Sequence, residues 1–144
     1  MPAPAPAPWE YTVYYPNDPR AVTVCRRALR LILTLHGPPH LTETAELLAT
    51  ELASNAVRHT KGPAGLRLHY KNGVLRIGVW DADPKPPAPA PARALLVPAE
   101  SEQGRGLDLV RAFADGWGWY PMTTGGPAGA SDRGKYVWCD LGAA

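Results

Sequence analysis

Apolar positions along the chain follow two rhythms. Val22, Cys25, Leu29, Ile32 and Leu33 recur at helical spacing. That run opens at Asn17-Asp18-Pro19, where a capping side chain stands just ahead of a proline that the first turn tolerates. Gly37-Pro38-Pro39 breaks this first predicted helix, and Thr42 is the predicted cap of a second helix running to about Thr60. Leu66-Arg67-Leu68-His69-Tyr70 alternates as a half-buried strand does, and the more apolar run from Val74 to Asp81 follows as another. Asn72-Gly73 between them is a two-residue turn whose members both accept positive φ, so the pair reads as a hairpin. Trp9 to Tyr15, rich in aromatic and β-branched residues and ended by Pro16, predicts a strand. So do residues around Trp117–Tyr120 and from Tyr136 to Leu141, with a Gly-rich loop between them and a helix over roughly 106–115 before them. Elements in this order predict an α+β fold: a two-layer α/β sandwich with helices on one face of a mixed, mostly antiparallel sheet.

Composition narrows this picture. The 144 residues include 17 prolines and 14 glycines without a Gly-X-Y period, which excludes collagen and stops just short of a disordered composition. The prolines cluster in residues 2–8 and 84–98. Residues 1–8 read as a flexible Pro/Ala tail, residues 9–144 as one domain, and residues 82–103 as a Pro-rich insertion within it. What remains is enough for a single hydrophobic core and too little for two. A net charge of +2 does not demand a nucleic acid partner, and no direct one is expected. No apolar run reaches the roughly 18 residues of a membrane span, and the N-terminus lacks a leader pattern, so no membrane association and a cytoplasmic location are expected. Cys25 and Cys139, far apart and without zinc-motif partners, read as reduced thiols.

Candidate chemistry gathers on the second helix. With Leu48 as the zero of a helical wheel at about 100° per residue, Leu52 and Ala56 lie near 40° and 80° and define the apolar face. Glu51, Asn55 and His59 fall near 300°, 340° and 20°, a polar stripe along the border of that face. Such a stripe suits a polar cavity between helix and sheet, although Glu51 alone could be an edge residue and His59 alone a helix-end histidine. Glu46, Thr50 and Val57 lie on the opposite side and read as surface positions. Asp81 ends the apolar strand, where a carboxylate either starts a turn or sits at the mouth of the same layer. Gly104-Arg105-Gly106-Leu107 precedes a helical run, an arrangement that lets backbone amides approach a phosphate. Residues 129–135 fit the first seven places of a P-loop, but Tyr136 follows in place of Ser or Thr and the next residues read as a strand, so that assignment is rejected. Arg20, Arg26, Arg27 and Arg30 share the first helix with no acid between them: a solvated face, or a docking surface for an acidic partner.

Taken in order, Glu51 to His59 (ELASNAVRH), Asp81, and Gly104 to Val110 (GRGLDLV) resemble the ATPase superfamily of gyrase, heat-shock chaperone and histidine kinase. Within it the chain is most similar to anti-sigma-factor serine kinases and short actinobacterial ATP-binding regulators, a likeness that includes Gly134 to Trp138 (GKYVW). The resemblance implies that ATP and Mg2+ are the cofactors, with Asn55 as metal ligand, Glu51 as general base, and His59, Asp81, Gly104, Arg105, Gly106 and Leu107 about the nucleotide. Asp81 would accept from the adenine amino group, the Gly-Arg-Gly run would wrap the phosphates, and residues 82–103 would be the lid. It further implies an anti-anti-sigma protein or a sigma factor as partner, and leaves a homodimer open.

Two departures stand out. The family's Asp-x-Gly-x-Gly box reads Asp81-Ala82-Asp83-Pro84-Lys85 here, with proline fixing φ near the place of a hinge. The last strand offers Lys135 and Tyr136 where a threonine often supports the adenine contact. Two functions therefore follow from the resemblance: a kinase passing the γ-phosphate to a partner serine, or a non-catalytic module, nucleotide-responsive or nucleotide-independent, that sequesters a sigma factor or related regulator.

Overall fold

Asp18 caps the first helix by accepting from the Arg20 amide at 2.9 Å, and Gly37, at φ 76°, ends it with its N–H on the Leu33 carbonyl. A computed structural model describes residues 7–83, 85, 110, 113–122 and 134–142. Its elements are β1 (Trp9–Tyr15), α1 (Pro19–His36), a 3-10 turn (Pro39–Leu41), α2 (Thr42–His59), β2 (Ala64–Lys71), β3 (Val74–Asp81), β4 (Gly116–Met122) and β5 (Gly134–Gly142). Val110 and Phe113 are helical, within the helix expected over 106–115, whose other positions up to residue 112 lie outside the described residues. The Asn72-Gly73 turn has φ of 52° and 77°, the positive values that the hairpin requires.

Thr42 is not a cap. The 3-10 turn runs straight into α2, so Leu41 stands at the cap position in a helical conformation and no side chain folds back onto the first amides. A capping hydroxyl needs an extended residue ahead of the helix, and the turn leaves none.

The strands form one sheet in the order β1-β2-β3-β5-β4, and every pairing among them is antiparallel rather than mixed. The last strand in sequence is thereby an interior one, between β3 and β4. Among the described residues, α1 and α2 cover one face. From α1 the core takes Ala21, Cys25, Leu29, Ile32 and Leu33, with Val22 at its margin. Leu48, Leu52 and Ala56 of α2 meet Leu66 and Leu68 of β2, Leu75, Ile77 and Val79 of β3, and Val137, Cys139 and Leu141 of β5. Glu46 and Val57 are not plain surface, because α1 lies alongside: Arg30 holds Glu46 through a two-pronged ion pair of 2.8 and 2.6 Å, and Val57 packs on the core. Both cysteines are buried free thiols, and burial pushes them up to about 11 for Cys25 and about 12 for Cys139.

The start of the domain is tied to α2 by side chains. The buried Tyr15 hydroxyl donates to the Ala53 carbonyl at 3.3 Å, and Asn17 Nδ2 donates to the carbonyls of Val57 and Thr60. These bonds hold the C-terminal half of α2, which carries the polar stripe, against the β1 end of the sheet.

Candidate functional site

On α2, Glu51, Asn55 and His59 stand one turn apart, as the helical wheel requires. Asn55 is only 5% exposed, and its Oδ1 is buried without a hydrogen-bond partner. His59 Nε2 is likewise buried and unpartnered, and Glu51 is half-buried. An orphaned buried carbonyl costs about 1–3 kcal/mol, so this stripe is not arranged for stability. It offers an oxygen acceptor and a ring nitrogen to something that would lie between helix and sheet.

β3 and β5 bring the second half of the site. Leu75, Ile77 and Val79 point into the core, as do Val137, Cys139 and Leu141, so alternation places Asp81 and Lys135 on the same helix-facing side. The register pairs them directly. Lys135 Nζ donates to Asp81 Oδ1 at 3.0 Å and to the Asp83 carbonyl at 3.1 Å, and the Asp83 amide donates to the same Oδ1 at 2.9 Å. Gly134 makes this approach of the strands feasible, because a Cβ there would fall on the Asp81 carbonyl. Asp81 therefore sits where the sequence places it, but one carboxylate oxygen already carries two donors.

Charges and burial set the protonation of this cluster. Burial raises the Asp81 carboxyl above the usual carboxylate range, opposed by the Lys135 ammonium and the Asp83 amide. The His59 ring is held below its ordinary value, first by burial and then by the Arg58 and Lys135 charges, with Asp81 and Asp83 pulling the other way. His59 is thus neutral near pH 7, with one nitrogen available as acceptor or donor. Burial also raises the Tyr15 phenol, and the Asp81 charge adds to that.

Gly104, Arg105, Gly106, Leu107 and residues 86–103 of the expected lid lie outside the described residues, as does the P-loop look-alike up to residue 133; from Gly134 onward that stretch is strand β5. Lys135 was legible as a substitution but not as an ion pair. The signal was its place at a core-facing position of β5, two residues before Val137, where a lone lysine demands a buried carboxylate. Among the described residues, no three His, Cys, Asp or Glu side chains gather to hold a metal, and no helix is long and apolar enough to cross a membrane. A cavity of about 250 Å³ opens on the other face of the sheet, framed by Tyr14, Arg67, Trp80, Tyr120 and Tyr136. Trp80 and Tyr136 alternate with Asp81 and Lys135, so this cavity is separate from the helix-side cluster.

The family model described as the histidine kinase-like ATPase domain matches residues 15–125. That span includes Glu51, Asn55, His59, Asp81 and Gly104 to Leu107, and ends before β5 and Lys135. No curated protein matches the chain.

Proposed function

The chain belongs to the histidine kinase-like ATPase family, and on that premise we propose that it is an ATP-binding regulator of the anti-sigma-factor kinase type, passing the γ-phosphate to a serine of an anti-anti-sigma partner. The family includes serine/threonine kinases. The observation that carries the reading is the buried, unpartnered Asn55 Oδ1. Magnesium takes oxygen ligands and keeps phosphates and waters around it, so a buried amide oxygen without a partner suits it. When bound, Mg2+ would neutralise charge on the phosphates during transfer.

The chain's own groups supply the rest. Glu51, one turn before Asn55, would take the proton of the attacking serine hydroxyl as its oxygen forms the new bond to the γ-phosphorus, while the bond from that phosphorus to the β,γ-bridging oxygen breaks and ADP leaves. Neutral His59 would line the path between the metal ligand and the base-recognition end. Asp81 would accept from the adenine amino group through whatever capacity Lys135 and Asp83 leave it. Calorimetry with ATP and Mg2+ tests this: saturable binding is expected, lowered at least about tenfold by Asn55→Ala. Labelled ATP should pass phosphate to a candidate anti-anti-sigma protein in wild type and not in Glu51→Ala. Binding equal in wild type and Asn55→Ala would overturn the metal assignment.

The Asp81–Lys135 pair favours a second reading, a non-catalytic module that sequesters a sigma factor or related regulator. A carboxylate already paired and buried is a poorer acceptor for an incoming amino group. If Lys135→Thr binds ATP and the wild type does not, the wild-type chain acts by binding alone.

A further inference from the structure

Helix α1 carries a second apolar stripe that its own fold leaves uncovered. Ala21, Val24, Ala28, Leu31 and Leu35 follow a three-four-three-four spacing, the heptad pattern of a helix-helix seam. Ala21 is buried at the base of the seam and Ala28 is half-buried, but Val24 and Leu31 are each 59% exposed and Leu35 is 70% exposed. The stripe lies about 105° around the helix from the core-facing one of Cys25, Leu29, Ile32 and Leu33. Isolated exposed hydrophobes are ordinary, whereas three large ones in register along three turns are not.

Charge selects the partner. Arg20 and Arg27, seven residues apart, occupy the same flanking position of the heptad, the one that makes interhelical ion pairs. Asp18 holds Arg20 and Glu46 holds Arg30, but Arg26 and Arg27 have no ion pair among the described residues. No Asp or Glu occurs in α1. A second copy of α1 laid on the seam would set these arginines against a helix without carboxylates, so self-pairing is disfavoured. The helix is a firm platform, capped at both ends and fastened at its C-terminal end where His36 bonds the Tyr11 hydroxyl and stacks on Trp9.

We infer that this seam docks an amphipathic helix of a partner protein, with apolar residues at three-four spacing on the seam and carboxylates at its flanks facing Arg20 and Arg27. The inference is independent of nucleotide binding. It is tested on the full chain with two fluorescein-labelled synthetic helices, both with Leu at the seam positions and with either Glu or Lys at the flanks. The Glu-flanked helix should bind saturably and the Lys-flanked one should not. Leu31→Ser/Leu35→Ser should weaken binding at least about tenfold, and Arg20→Glu/Arg27→Glu should exchange the preference between the helices, each variant keeping the wild-type circular dichroism. Absence of binding, equal binding of both helices, or indifference to the leucine changes would overturn it. So would a wild-type dimer in sedimentation that Leu31→Ser/Leu35→Ser converts to monomer, because the seam would then be covered by a second copy.

Discussion

Lys135 Nζ lies 3.0 Å from Asp81 Oδ1 on the neighbouring strand, and both side chains are only 3% exposed. Removing one member of such a pair strands the other charge in a medium that solvates it poorly, whereas replacing both is far milder. Lys135→Met should therefore cost about 3–5 kcal/mol of stability in urea unfolding. Asp81→Asn combined with Lys135→Met should recover most of that loss. A single-variant cost below about 1 kcal/mol would mean that water screens the pair as it screens a surface one.

His59 gives the domain a defined pH response. Its folded pKa lies below the ordinary value of 6.5, so between the two values the unfolded chain binds a proton that the folded chain does not. Its contribution to stability is therefore fully present above pH 6.5 and is lost as pH falls toward the lowered folded pKa. Urea midpoints of wild type should drop across that window, and His59→Gln should flatten this component of the slope. A ring titration by NMR at or above 6.5 would contradict the burial argument.

Much of this was readable before the structure. The two helices, the hairpin at Asn72-Gly73 and the later strands follow from period and turn chemistry, because each buries one face against a single core. The line of Glu51, Asn55 and His59 was legible for the same reason, since helical spacing alone fixes it. Thr42 misled because the preceding 3-10 turn depends on how Pro38-Pro39 directs the chain, which single-residue cap preference does not encode. Lys135 was legible only in part. Its pairing with Asp81 is set by β5 entering between β3 and β4, a topological choice that no local pattern around residue 135 contains.

Asn55 sets stability against binding. Its Oδ1 is buried and unpaired, so Asn55→Ala removes an unmet acceptor while giving up little packing volume. The variant should stay within about 1 kcal/mol of wild type in unfolding free energy, or exceed it. The same change should abolish the Mg2+-dependent part of ATP binding. A loss of several kcal/mol would instead show that the amide is bonded in solution and structural.

The exit from β3 is fastened twice. The Asp83 amide donates to Asp81 Oδ1 at 2.9 Å, and the Lys85 amide donates to Asp83 Oδ1 at 3.0 Å, two successive side-chain-to-backbone turns. Residues 83 and 85 are the places where the Asp-x-Gly-x-Gly box of the resembled kinases would put glycines, which leave φ free. Asp83→Gly/Lys85→Gly should break the second turn and free the backbone, speeding limited proteolysis just after Asp81 and raising any ATP turnover severalfold. The Lys135 bond to the Asp83 carbonyl needs no side chain at 83, so it survives the change and separates two causes. Faster proteolysis with unchanged turnover would clear the hinge and leave the Lys135–Asp81 pair as what holds activity down. Adding Lys135→Thr to the double glycine variant should then raise turnover where the glycines alone do not.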